Sequence, residues 1–345
     1  ATVTFEAAKP GLVLPEAAPY TGRLHIRPIG IPAMVRREHP ASYQMITKAI
    51  AGAFPEAAPG WHKGTAGAIL IVGGSEGLTG APHLAARAAL RAGGGLISVA
   101  APHGLCRDIK ADCPDIMTRA LGPAGNVRWS PALLEELLPF LRQCGAMVLG
   151  PGIGREPETA AFVQALLMCP SRPSAVVDAD ALHALAMHPE ALSSLRACDV
   201  LTPHPGEAAT LLHTTPALVQ ADRFAALAGL RRLAPSVWIL KGAGTLIGTE
   251  GQPVTIAPYA EPNLAVGGSG DVLSGCLGTL MAQTAAHPSE GCESSSFLAA
   301  CMGVHLHARA GRLLREAFPQ RGNSATEIAE MLPRARIGEA AGNGA

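Results

Sequence analysis

The feature that most constrains the fold is a regular alternation of short apolar runs and longer helical patterns, which begins at Ala68. The apolar runs end in glycine or in polar turns, and Ala- and Leu-rich stretches follow them. Strands that alternate with helices of about ten or more residues are typical of βαβ units. The sequence therefore predicts an α/β protein with a mostly parallel central sheet.

The individual elements are predicted from the same patterns. Strands are predicted at residues 68–72, 96–100, 146–149, 175–177, 200–202 and 237–240, with a hairpin at 245–257. Helices are predicted at residues 82–92, 131–143, 156–168, 208–212, 220–233, 270–283, 296–317 and 325–332. Ser324 and Glu327 have the spacing of a capping box at the start of the last helix. A polar loop is predicted at residues 287–296.

The composition limits the function classes. Hydrophobic residues make up 48% of the chain and charged residues 16%, so a sizeable buried core is expected. The 27 basic and 27 acidic residues balance, which argues against a nucleic-acid or anionic-membrane partner. No apolar run reaches membrane-spanning length. The eight cysteines show no Cys-x-x-Cys spacing and are expected to be reduced thiols in a cytoplasmic protein.

Unusual glycine-rich or charged segments follow five predicted strands. They are residues 73–81, 150–154 (Gly-Pro-Gly-Ile-Gly), 178–180 (Asp-Ala-Asp), 202–207 (Thr-Pro-His-Pro-Gly-Glu) and 241–245 (Lys-Gly-Ala-Gly-Thr). In doubly wound sheets, ligands bind outside the carboxyl ends of the strands. One such segment could be an ordinary turn, but five along one edge predict a ligand-binding rim.

The most informative motif is residues 267–271 (Gly-Gly-Ser-Gly-Asp), which precedes a predicted helix. Glycines allow backbone N–H groups to converge, and a helix N-terminus adds partial positive charge. Together they predict an anion hole for a transferring phosphoryl group. Asp271 in the first helical turn could accept a proton from a substrate hydroxyl. The alternative is that this segment is a glycine turn followed by an acidic residue in the first turn of the helix, an arrangement that is common.

Residues 241–245 lie between two strand-like runs and predict a nucleotide contact. Their glycines allow close backbone approach, and Lys241 could meet phosphate charge. The alternative is a β-turn with a solvated lysine. The chain contains no Gly-x-x-x-x-Gly-Lys-Ser/Thr motif, which excludes a P-loop. No intact Gly-x-Gly-x-x-Gly motif follows the first strand of the alternation, which disfavours a plain dehydrogenase.

His204 and Glu207 are three residues apart at a predicted strand-to-helix junction. The pair could contact substrate and a magnesium-bound water, because Mg²⁺ prefers few protein carboxylates together with phosphates. The alternative role for His204 is to cap the following helix. The other histidines singled out have no metal-site spacing and are expected to be structural, namely His62, His83, His103, His183, His305 and His307.

Taken together, the motifs resemble the NAD(P)H-hydrate dehydratases of the ribokinase-like superfamily. The matching segments follow the expected order at residues 62–64, 71–75, 80–81, 91–95, 149–154, 178–182, 201–207, 240–245 and 263–274. The chain departs from the family pattern at Val266, where Thr is usual, and at His183, where Asn is frequent. Val266 removes a hydroxyl near the predicted anion hole. The resemblance implies a three-layer α/β/α fold with a mostly parallel sheet.

The resemblance also implies an activity and a role for each motif. Hydrated NADH or NADPH would lose water with ADP or ATP as co-substrate and Mg²⁺ as cofactor. Asp271 would be the base, with amides of Gly268 and Gly270 in the anion hole. Substrate-binding residues would be Ala81, Gly152, Gly154, His204 and Asp271. Nucleotide-binding residues would be Lys241, Gly242, Ala243, Gly244, Thr245, Gly268, Ser269 and Gly270. Asp178 and Glu207 would hold magnesium or its waters.

Residues 1–60 are rich in Pro and Ala, with turns at residues 9–11 and 59–60 and one predicted helix at 42–54. Residues 1–32 resemble the closing segment of a hydrate-epimerase domain, so the chain is interpreted as a fragment that begins with a remnant of that domain. The predicted domains are the remnant at 1–32, a linker with a short helix at 33–60, a dehydratase domain at 61–335 and a flexible tail at 336–345. A homo-oligomer and functional pairing with an NAD(P)H-hydrate epimerase are also expected.

Two other functions remain open. A ribokinase-like vitamin kinase would share the motif at residues 267–271 but keep its phosphorylated product, whereas the segments at 150–154 and 204–207 favour the dehydratase. A non-catalytic nucleotide sensor would bind nucleotide without turnover, and the presence of Asp271 disfavours it.

Overall fold

A ten-stranded sheet forms the centre of the protein in the computed structural model, which describes residues 1–55, 59–286 and 295–336. The strands of this sheet are β3 (Tyr43–Met45), β4 (Ala68–Val72), β5 (Leu96–Pro102), β6 (Met117–Leu121), β7 (Ala146–Leu149), β8 (Ser174–Val177), β9 (Val200–Leu201), β10 (Val237–Leu240), β11 (Leu246–Gly248) and β12 (Val254–Ile256). Their order across the sheet is β3-β12-β11-β10-β9-β8-β7-β4-β5-β6. Only β11 pairs antiparallel with its neighbours β10 and β12; the other pairs are parallel.

Helices cover both faces of the sheet. In chain order, the helices of the described residues are α1 (Pro10–Val13), α2 (Ala18–Thr21), α3 (Ala33–Glu38), α4 (Gly80–Arg91), α5 (Cys106–Lys110), α6 (Leu133–Leu141), α7 (Pro157–Met168), α8 (Asp180–Met187), α9 (Pro205–Leu211), α10 (Pro216–Ala221), α11 (Arg223–Leu233), α12 (Ser269–Ala286), α13 (Ser295–Leu313) and α14 (Ala325–Arg336). One buried core joins the sheet to α4, α5, α12, α13 and α14, and a second joins it to α6–α11. The predicted three-layer α/β/α fold is confirmed.

Helix α12 is fixed against its neighbours by glycines. A Cβ at Gly275 would overlap the carbonyl oxygen of Ala85 in α4, and one at Gly278 would lie 2.7 Å from Val148 in β7. The backbone of α12 therefore packs directly on α4 and the sheet, as close packing in protein interiors requires. This packing fixes the first turn of α12, which contains Asp271.

Most predicted elements are confirmed, with ends that differ by a few residues. The predicted helix at 42–54 is wrong. Residues Tyr43–Met45 form β3, an edge strand that pairs in parallel with β12, and Lys48–Ala53 form a 3-10 helix. Gln44 donates a hydrogen bond to Thr255 at 2.8 Å, so pairing with a distant strand overrides local helical preference. The predicted loop at 287–296 lies mostly outside the described residues.

The N-terminal residues form a separate two-stranded parallel sheet of β1 (Thr2–Phe5) and β2 (Leu24–Arg27). The chain between them contacts the main domain, since Pro15 would lie 2.7 Å from a Cβ at Gly244. The assignment of residues 1–32 to an epimerase domain remains a prediction. Within the described ranges, no helix combines the length and apolar character needed to cross a bilayer.

Candidate active site

A lysine and two carboxylates meet at the carboxyl edge of the sheet. Asp178 follows β8 and is 1% exposed, and Lys241 follows β10. The Lys241 Nζ lies 2.7 Å from Asp178 Oδ1 and 3.7 Å from Glu207 Oε2. Ser274 in α12 donates a hydrogen bond to the other oxygen of Asp178. The sequence predicted Lys241 as a nucleotide ligand, whereas its side chain points to these carboxylates.

This arrangement keeps Asp178 and Lys241 charged. Burial raises the pKa of Asp178, but the Lys241 charge and hydrogen bonds from Lys241, Ser274 and Thr202 bring it below its ordinary value. Burial lowers the pKa of Lys241, but Asp178 and Glu207 raise it above its ordinary value. Asp178 and Lys241 therefore form a buried ion pair under the rim, and pairing offsets the cost of burying each charge.

Asp271 lies in the first turn of α12 and is half-buried. Burial and the nearby Asp178 carboxylate raise the pKa of Asp271 to about 7, although Lys241 acts in the opposite direction. Burial also raises the pKa of Glu207 to about 7. A carboxylate that titrates near neutral pH is suited to general-base chemistry, because it accepts a proton and releases it readily at that pH.

The segment before Asp271 needs glycine for two reasons. Gly268 has φ +87, and a Cβ there would lie 2.6 Å from Leu84 and 3.0 Å from Ala325. A Cβ at Gly270 would lie 3.5 Å from Lys241 Nζ, which places the ammonium close to the start of α12. The backbone dipoles of the helix N-terminus add to this positive charge. Beside Asp271, the Lys241 ammonium and the start of α12 therefore supply positive charge among the carboxylates of Asp178, Asp180 and Glu207.

Ser269 shows how this segment is held. Its hydroxyl lies 3.1 Å from Nε2 of the buried His307 in α13. Burial lowers the pKa of His307 to about 4, so the imidazole is neutral. His307 therefore has a structural contact, and this contact lies at the segment that the sequence predicts to be an anion hole.

The turn at residues 241–245 connects β10 to β11. Gly242 has φ +138 and Gly244 has φ +63. The Thr245 hydroxyl donates to the Gly242 carbonyl at 2.8 Å, and the Gly244 amide donates to the Tyr259 carbonyl at 2.9 Å. The Ala243 carbonyl accepts a hydrogen bond from Arg223. These hydrogen bonds fix the shape of the turn, and Pro15 packs against Gly244.

The turn at residues 150–154 connects β7 to α7 and lies next to Ala81. A Cβ at Gly152 would lie 3.1 Å from the Ala81 methyl, so the two predicted substrate residues adjoin. The Gly154 amide donates to Asp180 at 3.2 Å. Gly154 has φ +93, a conformation that side chains rarely adopt.

His204 is the N-cap of α9. Its Nδ1 accepts hydrogen bonds from the amides of Gly206 at 2.9 Å and Glu207 at 3.3 Å. The Glu207 carboxylate accepts from the His204 amide at 2.8 Å, which completes a capping box. Burial and Lys241 lower the pKa of His204, so the neutral ring carries its proton on Nε2. The side chain is 55% exposed, and its Nε2 lies 3.4 Å from Glu207 Oε1.

The structure brings Asp178, Glu207, Lys241 and Asp271 together, and it places the predicted Gly-rich segments around them. The sequence placed Asp180 in the rim motif at residues 178–180 but assigned it no role, and it did not predict the role of Ser274. Ser274 lies three residues after Asp271 on α12, and i,i+3 spacing on a helix was the signal that it shares a face with Asp271.

Asp178 and Glu207 fit contacts to a magnesium ion through its bound waters and not as direct ligands. Among the described residues, no group of three or more His, Cys, Asp or Glu side chains could hold a metal. Asp178 already binds Lys241 and Ser274, and Glu207 binds the His204 amide. Mg²⁺ often keeps several waters and binds through substrate phosphates. The residues therefore fit contacts to the waters of a nucleotide-bound ion.

The architecture has known structural counterparts. A ribokinase-like superfamily protein from Enterococcus faecalis superposes with a TM-score of 0.70, at 21% identity, over 86% of this chain and 95% of that one. The parallel sheet, its two helical layers and the Gly-rich rim define a ribokinase-like α/β protein.

Sequence comparison identifies the family. A model of the NAD(P)H-hydrate dehydratase family matches residues 69–334. The bifunctional NAD(P)H-hydrate repair enzyme of Moorella thermoacetica is 41% identical over 334 residues, which cover 96% of this chain and 60% of the relative. The ADP-dependent (S)-NAD(P)H-hydrate dehydratase of Neisseria meningitidis serogroup B is 34% identical over 74% of this chain and 80% of the relative. The chain belongs to the NAD(P)H-hydrate dehydratase family, and it spans about 60% of the length of the bifunctional relatives.

Proposed function

We propose that this chain dehydrates the S epimer of hydrated NADH or NADPH, with ADP or ATP as phosphoryl donor. The observation that supports this most directly is Asp271, a half-buried carboxylate with a pKa of about 7 at the N-terminus of α12. Membership in the family supplies the substrate class. An epimerase would convert the R form of the hydrate into the S form.

The proposed chemistry gives each of these residues a role. Hydroxide is a poor leaving group from the hydrated ring, and phosphate is a good one. Asp271 would accept the proton of the ring hydroxyl as its oxygen attacks the terminal phosphorus of the nucleotide. The amides of Gly268 and Gly270 and the Lys241 ammonium would stabilise the negative charge on the transferring group. The lone pair of the ring nitrogen then expels phosphate, and loss of a ring proton restores the double bond.

The turn at residues 241–245 would hold the nucleotide. A magnesium ion bound to its phosphates would neutralise charge on them, and Glu207 would contact the waters of that ion. Asp178 would instead keep Lys241 in place beneath the start of α12.

The proposed function is tested by incubating the protein with Mg²⁺, the hydrated NADH S epimer and either ADP or ATP. The absorbance of the reduced nicotinamide ring should rise only when nucleotide is present. A stable phosphorylated product without regenerated NADH would show a kinase of the vitamin-kinase type instead.

We expect Gly244→Val to weaken nucleotide binding about tenfold or more, which is about 1.4 kcal/mol or more of binding free energy. Position 244 has φ +63, and a Cβ there would meet Pro15, so the turn must change shape. The matched control is Gly251→Val, because Gly251 has φ +75 in the next turn, between β11 and β12, but has open space around it. Calorimetry with ADP measures both variants. Equal ADP affinity in the two folded variants would place the nucleotide elsewhere.

We expect His204→Asn to raise the KM for the hydrate more than the KM for the nucleotide. Asn is a good N-cap, so the variant keeps the cap of α9 but lacks the ring Nε2, which lies 3.4 Å from Glu207 Oε1 in the half-exposed side chain. His204→Ala removes both and should also lower the melting temperature, because losing an N-cap costs about 0.5–2 kcal/mol. An unchanged hydrate KM in the Asn variant would show that His204 is only a helix cap.

A further inference from the structure

Arg223, the first residue of α11, reaches the turn at residues 241–245 from the side of the helix. Its guanidinium donates hydrogen bonds to the carbonyls of Leu240 at 3.0 Å, Lys241 at 3.3 Å and Ala243. No step of the proposed mechanism uses this side chain. One arginine therefore holds the backbone at the end of β10 and in the turn that follows it.

The helix to which Arg223 belongs does not account for an arginine at this position. Asp222 already caps α11, because its side chain accepts from the Ala225 amide at 2.9 Å. A positive charge in the first helical turn is unfavourable, by about 0.3–1 kcal/mol, because it opposes the helix dipole. Burial also lowers the pKa of Arg223, and the Glu16 charge acts in the opposite direction. The contacts with the turn are therefore the better explanation of this residue.

The hydrogen bonds of Arg223 determine which side of the turn presents amides. In a planar trans peptide, the carbonyl of one residue and the amide of the next point in opposite directions. The Ala243 carbonyl faces Arg223, and the Gly244 amide is hydrogen-bonded on the other side at 2.9 Å. By the same geometry, the Lys241 carbonyl faces Arg223, and the amide of the exposed Gly242 points away from it.

The glycines of the turn make this orientation easy to lose. Gly242 has φ +138 and Gly244 has φ +63, and neither has a Cβ that would resist rotation of the adjoining peptides. A Cβ at Gly242 would lie 3.2 Å from a guanidinium nitrogen of Arg223, so the guanidinium packs directly on the turn. Successive amides in a turn can bind an anion, whereas carbonyl oxygens repel one. Arg223 thus keeps two carbonyls of the turn on the side of α11.

We propose that Arg223 is a positioning residue for the nucleotide, because it holds the turn in the orientation that presents the Gly242 amide to the nucleotide phosphates. The inference rests on the proposed function, since it assumes that this turn binds the nucleotide. Arg223 acts through the turn and does not touch the nucleotide. A loop that is ordered before binding raises affinity, because less conformational freedom is lost on binding. Arg223 should therefore set the affinity for nucleotide and not the rate of the chemical step.

The test compares Arg223→Met, which keeps an unbranched side chain but removes every donor, with the matched control Arg232→Met. Arg232 is an exposed arginine in the last turn of the same helix. We expect Arg223→Met to raise the Kd for ADP about tenfold in calorimetry, and Arg232→Met to leave it unchanged. The KM for the hydrate and the kcat at saturating ADP should be unchanged in both variants, because the lost interaction affects only nucleotide binding.

Two further variants distinguish the shape of the turn from the charge of Arg223. Arg223→Lys keeps the charge but lacks the planar fork that reaches three carbonyls, so it should bind ADP nearly as weakly as Arg223→Met. The double variant Arg223→Met/Gly244→Val should bind ADP little more weakly than Gly244→Val alone, because both changes disturb the same turn.

Three results would overturn the inference. An unchanged Kd for ADP in folded Arg223→Met would show that the contacts support only the fold. Full recovery of ADP binding by Arg223→Lys would show that charge, and not the shape of the turn, is what the nucleotide requires. Additive losses in the double variant would place Arg223 in direct contact with the nucleotide. All three leave turnover by the wild-type protein intact, whereas a wild-type protein that does not bind ADP would refute the proposed function and the inference together.

Discussion

Asp271→Asn is expected to lower kcat by about 10²–10⁴-fold, because the variant keeps the shape of the side chain but cannot accept a proton. Nucleotide affinity should change little. Burial is the main cause of the raised pKa of Asp271, so the ionised side chain is disfavoured in the fold. The neutral Asn should therefore leave the melting temperature at pH 8 unchanged or raise it.

The pH dependence of the wild-type protein gives a second readout for Asp271. A base must be ionised to act, so kcat/KM should fall as the pH drops through about 7. The matched control is Asp222→Asn, which neutralises the N-cap of α11 away from the site and keeps a good capping residue. Near-wild-type turnover by Asp271→Asn would reduce Asp271 to a residue that only stabilises the start of α12.

Lys241→Met is expected to destabilise the protein by about 3–5 kcal/mol, because it leaves the buried Asp178 charge without its partner. This is a large part of the total stability of a typical domain, about 5–15 kcal/mol. Activity should also fall, since the ammonium lies close to Gly270 at the proposed phosphate site. Lys241 lowers the pKa of Asp271, so its loss should move the acidic limb of the pH profile to higher pH.

The double variant Asp178→Asn/Lys241→Met separates the two effects. It removes both charges, so chemical denaturation should show that most of the lost stability returns. Turnover should stay low, because the positive charge beneath α12 is still missing. Wild-type stability of the single variant would show that the ion pair contributes nothing to the free energy of unfolding. Full activity of the double variant would show that Lys241 has no role in turnover.

The sequence predicted the alternating core of the fold because its strands are short aliphatic runs that end in glycine or polar turns. It did not predict β6, whose residues Met117–Leu121 lack a β-branched run. It misassigned β3, because Tyr43–Met45 become a strand only by pairing with β12 far along the chain. Periodicity describes local preference, whereas an edge strand depends on its distant partner.

For the site, the sequence likewise predicted some features and not others. Motifs after the strands predicted which segments would meet at the rim, since the carboxyl ends of parallel strands lie at one edge. The direction of each side chain did not follow from the motifs. Lys241 points into the Asp178 and Glu207 pair, and the His204 ring caps α9 through Nδ1. These directions depend on contacts between residues that are far apart in the sequence.

The proposed reaction is tested most directly by its stoichiometry with the resolved S epimer of hydrated NADH. NADH formation, followed by absorbance, and inorganic phosphate release should proceed together at one phosphate per NADH, with no phosphorylated dinucleotide accumulating. The R epimer should not react, because its hydroxyl would point away from Asp271 and from the proposed phosphate site, and misplacement of a reacting group is costly. Phosphate release without NADH formation, or equal consumption of the R epimer, would contradict the account.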